Sequence, residues 1–470
     1  MGSEYRYRQL EAWLIEGIQK KRWGKGDRLP SIRSLCETKA LSKATVLHAY
    51  QRLEASGLIE ARPKSGYFVC GSRIERPLPE SRPTISAPLP VSVSDVVMDV
   101  MARGAAFDLL PERHQREENS HAVQLLNRHI GRALRSQRGA AHQYYDEPAG
   151  YVELRALIAQ RYRRLSCELT TEDLCITAGC QQALFLALMA TCQIGDTVAV
   201  ESPGFYGVFQ LLEQLGLKAL EIPSSAADGL QTQVLAEALT RWKIKACVVT
   251  PAFATPCGAT LKHAAREELI HLANMYDFAV IEDDIYGDLG FFVRPEPLKA
   301  LDTEERVILC SSLSKNLSRD IRIGWIAAAR WHDKVKHLKL VTMLASSRFV
   351  QQGVVSFFKD GAYDTHLRKQ REVLRYNCDQ LVNYLNEQWP SDIKLSVPEG
   401  GLALWLQLPD HLNTLAHYNE ALREGMVITP GALFSATDNY HHCIRLSFAH
   451  PITQAREAAL FRLGEIFFMK

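Results

Sequence analysis

Short β-branched runs that alternate with helical stretches constrain this chain most. Thr197-Val198-Ala199-Val200, Ala246-Cys247-Val248-Val249 and Phe278-Ala279-Val280-Ile281 are separated by segments long enough to form helices. Strands that are apolar at successive positions are buried on both faces, so the pattern predicts a largely parallel sheet covered by helices. Towards the C-terminus, 402–406 and 443–448 read as strands within a mainly helical stretch. They predict a smaller α+β lobe. No internal repeat is visible.

The N-terminal part follows another pattern. Leu10, Leu14 and Ile18 have helical spacing, and Trp23-Gly24-Lys25-Gly26-Asp27 breaks it. Pro30 and Ser31 start a short helix with Ile32 and Leu35 facing inward. Ser42 suits the N-cap of a third helix, with Val46, Tyr50 and Leu53 on one face and Gly57 at its end. Two apolar runs then flank Arg62-Pro63-Lys64-Ser65-Gly66, which reads as a hairpin. Three helices and a basic-tipped hairpin predict a winged helix-turn-helix over 1–70. Pro77, Pro79, Pro83, Pro88 and Pro90 make 71–95 a partly extended spacer rather than a core element. A large α/β domain is expected over 96–330 and the smaller lobe over 331–470.

Charge agrees with two roles. The chain carries a formal +2, but residues 1–70 hold 13 Lys and Arg against 7 Asp and Glu, which is +6 and leaves −4 for the rest. A basic head on a slightly acidic body points to a polyanion partner for the head alone. The 11 cysteines form no Cys-x-x-Cys pair and no zinc-type cluster, so reduced thiols, no metal and a cytoplasmic setting are expected. No apolar stretch is long enough to span a bilayer, and the charged N-terminus lacks a signal-peptide core.

Lys315 carries the chemistry. It sits in Ser312-Leu313-Ser314-Lys315, seven residues before Arg322, between the apolar run 307–310 and a second expected strand over 321–328. A lysine held there, with hydroxyls before it and an arginine after it, suits Schiff-base formation beside a phosphate. Burial should lower its pKa so that the neutral amine can attack an aldehyde. An isolated Ser-x-x-Lys would more often be a snorkelling lysine. Glu282, Asp283 and Asp284 follow a strand, where a carboxylate faces a ligand crevice or merely opens a solvated loop. Gly179-Cys180-Gln181 joins a strand to a helix, a junction whose free N–H groups attract anions.

Three separated segments, Leu29-Pro30-Ser31-Ile32-Arg33, Leu41 to Val46 and Gly57-Leu58-Ile59…Ser65 to Val69, resemble the GntR family of bacterial repressors. From about residue 95 the chain resembles fold-type I aminotransferases, which use pyridoxal phosphate. In this order, joined by a linker, the two resemble the MocR subfamily of GntR regulators. The resemblance implies a multidomain chain: a winged helix-turn-helix, then an α/β aminotransferase-like domain with a C-terminal α+β lobe.

It also implies roles. Lys315 would form the Schiff base, and Asp283 would face the ring nitrogen, with Asp284 as a competing choice. Tyr286 would donate to the ring's phenolic oxygen. Gly179, Cys180, Gln181, Ser312, Ser314 and Arg322 would hold the phosphate, and Phe205 would stack on the ring or serve as a core aromatic. Tyr145 would reach the phosphate of the partner subunit in a homodimer. Arg445 would bind an amino acid's carboxylate, unless it is only a strand-edge arginine. Thr255, in Thr255-Pro256-Cys257-Gly258, stands where aminotransferases have the asparagine of Asn-Pro-x-Gly. Threonine is shorter than that asparagine, so the departure weakens the case for efficient transamination more than the case for cofactor binding.

In the head, the helix after Ser42 would enter the major groove of an operator, with Lys43, Thr45 and His48 projecting into it. Arg33 would contact phosphate, and Lys64 with Gly66 would place the wing. Three readings follow: a bacterial cytoplasmic regulator sensing pyridoxal phosphate or its adduct with an amine or amino-acid effector, a working aminotransferase with a DNA-binding appendage, or a repressor whose cofactor-free body only dimerises. Whether the chain turns over as an enzyme stays open.

Overall fold

The computed structural model describes residues 3–20, 22–24, 26–55, 58–62, 65–69, 76–81, 85–92, 95–103, 108–110, 120–137, 145–437 and 439–469. Two compact units result, one of residues 1–76 with 382–387 and one of 77–381 with 388–470.

The first unit holds α1 (Ser3–Gln19), α2 (Ile32–Lys39), α3 (Lys43–Ala55) and an antiparallel hairpin of β1 (Ile59–Arg62) and β2 (Gly66–Val69). Ser31 Oγ accepts from the Ser34 N–H at 3.1 Å, and Ser42 Oγ accepts from the Thr45 N–H at 3.1 Å. Each cap satisfies a donor that the helix start leaves open. Leu10, Leu14, Leu35, Val46, Tyr50 and Leu53 form its buried core. Tyr50 stacks on Tyr67 with centroids 4.4 Å apart, which ties α3 to the wing. Gly66 has φ +107°, a conformation that favours glycine.

The second unit is built on a nine-stranded sheet. Its strands are β3 (Leu89–Pro90), β4 (Leu174–Thr177), β5 (Thr197–Ser202), β6 (Lys218–Ser225), β7 (Gly229–Leu230), β8 (Ile244–Val249), β9 (Ala279–Asp283), β10 (Val307–Ser312) and β11 (Gly324–Ala327). The order is β3-β6-β5-β8-β9-β10-β11-β4, with β7 paired to β6. The pairs from β6 through β5, β8 and β9 to β10 are parallel, while β11 runs antiparallel to both its neighbours. One face packs on the helix Cys180–Thr191, and the other on helices Val152–Arg163 and Arg348–Lys359 near β4 and β11. A second, antiparallel sheet has the order β12 (Lys394–Leu395), β13 (Ala403–Gln407), β15 (Cys443–Ser447), β14 (Thr429–Pro430).

Two expectations need correction. The strand read from 321 begins only at Gly324, because Arg322 has φ +48°, a left-handed conformation that ends an extended run. The proline-rich stretch, expected to lie outside the core, contributes to it in its described parts. Leu89 and Pro90 pair with Ala219 and Lys218 at the sheet edge, Val91 is buried, and Leu395 donates its N–H to the Pro77 carbonyl. Prolines lack the N–H for a central ladder but tolerate an edge. Among the described residues no helix is long and apolar enough to cross a membrane.

Candidate functional site

The site lies at the carboxyl ends of parallel strands, where loops leave a crevice. Glu282, Asp283 and Asp284 are all buried, which rules out a solvated loop start. Their partners separate their roles. Glu282 accepts the N–H groups of Leu298 and Lys299 at 2.7 and 2.8 Å. Asp284 accepts from Arg294 at 2.6 Å and from the Tyr162 hydroxyl at 2.7 Å. Asp283 accepts from Cys180 Sγ at 3.1 Å and interacts electrostatically with Lys315. Burial raises its pKa to about 6, against the pull of Cys180 and Lys315.

Lys315 follows β10 and is half-buried. Burial first, then the nearby cations Arg445 and Arg319, lower its pKa to about 7, while Asp283 opposes them. An amine in this range is substantially neutral near pH 7 and therefore nucleophilic.

The turn after β4 is shaped for an anion. Gly179 has φ +95°, and a Cβ there would meet Arg322 Nη2 at 2.3 Å, so only glycine lets the guanidinium approach. Arg322 donates to the Ala178 carbonyl at 2.6 Å and to Ser314 Oγ at 3.3 Å. The first-turn N–H groups of the helix Cys180–Thr191 open at this point. Ser312 is fully buried, and its Oγ accepts the Ser314 N–H at 3.3 Å. Gln181 turns its side chain away, onto the Gly207 carbonyl at 2.8 Å, and has only its backbone to offer.

On the other side Arg445 Nε donates to Thr255 Oγ1 at 3.3 Å. Arg445 is buried, so it is not a strand-edge surface arginine. Tyr286 is buried beside both, and burial pushes its phenol up to about 12. Phe205 is half-buried, with its ring 4.9 Å from that of Tyr206. Tyr145 is 77% exposed on the single chain and makes no hydrogen bond to these residues.

In the head, Lys43 and Arg33 are exposed, and Arg33 pairs with Glu37 at 3.0 Å. Thr45 shares its hydroxyl with Ser42 at 2.8 Å, and the His48 ring lies 4.3 Å from that of Tyr7. Both side chains therefore have structural partners. Lys64 lies outside the described residues.

Sequence reasoning missed Arg319, Tyr206 and Arg28. Arg319 is one of the cations that lower the Lys315 pKa, and Arg445 acts on the buried Tyr206. The exposed guanidinium of Arg28 lies against Gly66 at the wing tip. Only its place before Leu29-Pro30 could have signalled it. Among the described residues no cluster of His, Cys, Asp and Glu is placed to hold a metal.

A lysine amine, a buried carboxylate and an anion cradle are the groups that pyridoxal phosphate requires, and the residues present fit it. Together with the head, they define a DNA-binding regulator fused to a pyridoxal-phosphate-dependent aminotransferase fold. The family of bacterial regulatory proteins of the gntR type matches residues 6–69, and aminotransferase class I and II matches 116–461. The HTH-type transcriptional regulator YjiR of Escherichia coli K12 is 32% identical over 98% of both chains. YdcR of the same organism is 34% identical, again over 98% of both. The chain belongs to the MocR type of GntR-family transcription regulators. Among solved structures, the kynurenine aminotransferase of Pyrococcus horikoshii superposes with a TM-score of 0.71 at 25% identity, covering 80% of this chain and 94% of that one.

Proposed function

We propose that the body senses pyridoxal phosphate, or its adduct with an amine or amino acid, and that this state sets the affinity of the heads for an operator. The observation that carries this reading is the electrostatic coupling of Lys315 to Asp283 and Arg445: the lysine's pKa is lowered by burial and by Arg445, and Asp283 opposes that shift. Lys315 would hold the cofactor covalently, and Asp283 would keep a proton on the ring nitrogen. Gly179, Cys180, Gln181, Ser312, Ser314 and Arg322 would bind the phosphate, and Tyr286 would orient the ring oxygen. Phe205 would cover the ring. Arg445 would take an effector carboxylate, since a guanidinium suits one bidentately.

Tyr145 would complete the site from the partner subunit, which makes the working form a homodimer; its exposure on the single chain supports that reading. The functional division would be a head over 1–70, a linker over 71–95 whose described parts are anchored on the body, a cofactor domain over 96–330 and a lobe over 331–470. The four-stranded sheet, wholly within that lobe, supports the last boundary. The head, basic and built from three helices and a wing, would read DNA through Ser42, Lys43 and Thr45, with Arg33, His48, Lys64 and Gly66 beside them. A cytoplasmic location follows from such a role.

By linkage, a ligand that favours one arrangement must change DNA affinity reciprocally. The test is binding to the DNA upstream of the chain's own gene, with and without pyridoxal phosphate and a panel of amino acids, using Lys315→Ala as control. The reading expects ligand-dependent affinity in the native chain and ligand-independent affinity in the variant. Identical affinities under all conditions would overturn it. Sustained amino-acid turnover would favour the aminotransferase alternative instead.

A further inference from the structure

A cavity of about 250 Å³ opens beneath the sheet, away from the anion cradle. Successive residues of a strand face opposite sides. Gly324 and Ile326 of β11 turn toward Gly179 and the helix Cys180–Thr191, while Trp325 turns toward helices Val152–Arg163 and Arg348–Lys359 and lines the cavity. The cavity is therefore a separate space from the cofactor pocket.

Its charge is unbalanced. Five arginines line it, at positions 161, 164, 294, 368 and 371, against only Asp288 and Asp364. Three of the arginines are engaged. Arg161 pairs with Asp364 at 2.6 Å, Arg294 bridges Asp284 at 2.6 Å and Asp288 at 2.8 Å, and Arg371 Nε donates to the Asp288 carbonyl at 2.7 Å. Arg164 and Arg368 are exposed, and neither guanidinium has a carboxylate within ion-pair distance among the described residues. Excess guanidinium charge around a concave space attracts oxyanions.

The walls are aromatic. Phe358 and Tyr363 are stacked with centroids 4.5 Å apart, and Trp325 donates its indole N–H to Tyr162 at 3.2 Å, leaving its ring face as apolar lining. The volume is near the small end of ligand pockets, which run ~300–1,000 Å³. That suits one ring with one charged group.

We propose that this cavity binds a small aromatic oxyanion, a single ring bearing a carboxylate or phosphate, and that its occupancy is linked to the Lys315 loop. The link is Asp288. Its carboxylate accepts from Arg294, from the Tyr363 hydroxyl at 3.0 Å and from Asn316 Nδ2 at 3.4 Å, and Asn316 directly follows Lys315. Arg161 also lies 4.0 Å from the Asp288 carboxylate, so an anion that draws Arg161 or Arg294 toward itself loosens their hold on Asp288, and so alters the anchor of Asn316. This is a second site, independent of Arg445 and of how the cofactor pocket is read.

The test uses the full chain loaded with pyridoxal phosphate, so that the first phosphate cradle is filled. Phenyl phosphate and benzoate are titrated calorimetrically, with phenol and inorganic phosphate as controls, on the native chain and on R164A/R368A. Both replaced residues are exposed, and a melting curve checks that the variant folds. The proposal expects saturable binding of one or both aryl anions, weaker binding of the controls, and about tenfold loss in the variant. Which aryl anion binds tighter distinguishes a phosphate from a carboxylate ligand. Affinity unchanged in the variant, or inorganic phosphate binding as tightly as phenyl phosphate, overturns the site. Binding that leaves the affinity for pyridoxal phosphate unchanged overturns the link through Asp288. The calorimetric arm repeated on the cofactor-free chain keeps a failure of the cofactor reading distinguishable from a failure of this one.

Discussion

Cys180 Sγ donates to Asp283 Oδ1 across 3.1 Å, so the first residue of a helix touches the last residue of a strand 103 positions later. The sequence offers Cys180 as a backbone N–H donor at a strand–helix junction. The side chain instead stabilises the ionised carboxylate that would face the ring nitrogen. It also joins the anion cradle to the acid, so that two ends of one cofactor would be gripped by neighbouring residues.

Cys180→Ala removes that donor. Asp283 is then held less firmly in its charged form, and its pKa rises further. Loss of one such hydrogen bond is worth about 1 kcal/mol, or roughly five-fold in affinity. The affinity for pyridoxal phosphate, followed by absorbance, is expected to fall by that factor, and Cys180→Ser should recover most of it.

As the proposed attachment point, Lys315 would set the pH dependence of cofactor capture. Its pKa is lowered to about 7, so the reactive neutral amine accumulates as pH rises through that value, and capture should accelerate over the same window. Arg445 lowers this pKa and Asp283 raises it. Arg445→Ala should therefore move the midpoint up, and Asp283→Asn should move it down. Stopped-flow capture against pH reads both, and equal midpoints in all three proteins would sink the electrostatic account.

A stability effect has the same origin. Unfolded, the lysine titrates near its ordinary value of 10.5, well above the folded pKa. Between about 7 and that value the unfolded chain binds more protons, so this group makes stability rise with pH there. Lys315→Met should raise the melting temperature of the cofactor-free chain at pH 7, and the gain should shrink as pH approaches 10. The pair of melting curves checks the sign.

The parallel sheet was legible because β5, β8 and β9 are apolar on both faces, a pattern few other structures tolerate. Lys315, Asp283 and Arg322 were legible because strand ends and a glycine junction announce themselves locally. The anchoring of Pro77, Leu89 and Pro90 was not, since an edge strand of two residues leaves no periodicity. Nor were the arginines that line the cavity with Asp288: they come from segments far apart in sequence, around 161–164, 294 and 368–371.

Thr255→Asn tests the departure from the aminotransferase pattern. Thr255 now serves as acceptor for Arg445 Nε at 3.3 Å. The asparagine amide can keep that acceptor and add a longer donor toward the ring oxygen. One added hydrogen bond of about 1 kcal/mol would speed the single-turnover reaction with an amino acid roughly five-fold. Rapid-mixing absorbance measures it. An unchanged rate would mean that Thr255 is not what limits turnover.

The head gives the last prediction, because its candidate DNA contacts divide by what holds them. Lys43 is exposed at the start of α3 and Arg28 is exposed beside the wing, whereas Thr45 and His48 are occupied by Ser42 and Tyr7. Cations free to meet phosphate release counterions on binding, and each one lost lowers the steepness of salt dependence by about one. Lys43→Ala and Arg28→Ala should each weaken DNA binding and reduce that slope, without changing the melting temperature. Ser42→Ala should act the other way round: losing an N-cap costs about 1 kcal/mol of head stability while the salt slope stays near its native value. Fluorescence anisotropy across a salt series, beside melting curves of the same proteins, separates the two behaviours. A native salt slope in both Lys43→Ala and Arg28→Ala would place the DNA on another face of the head.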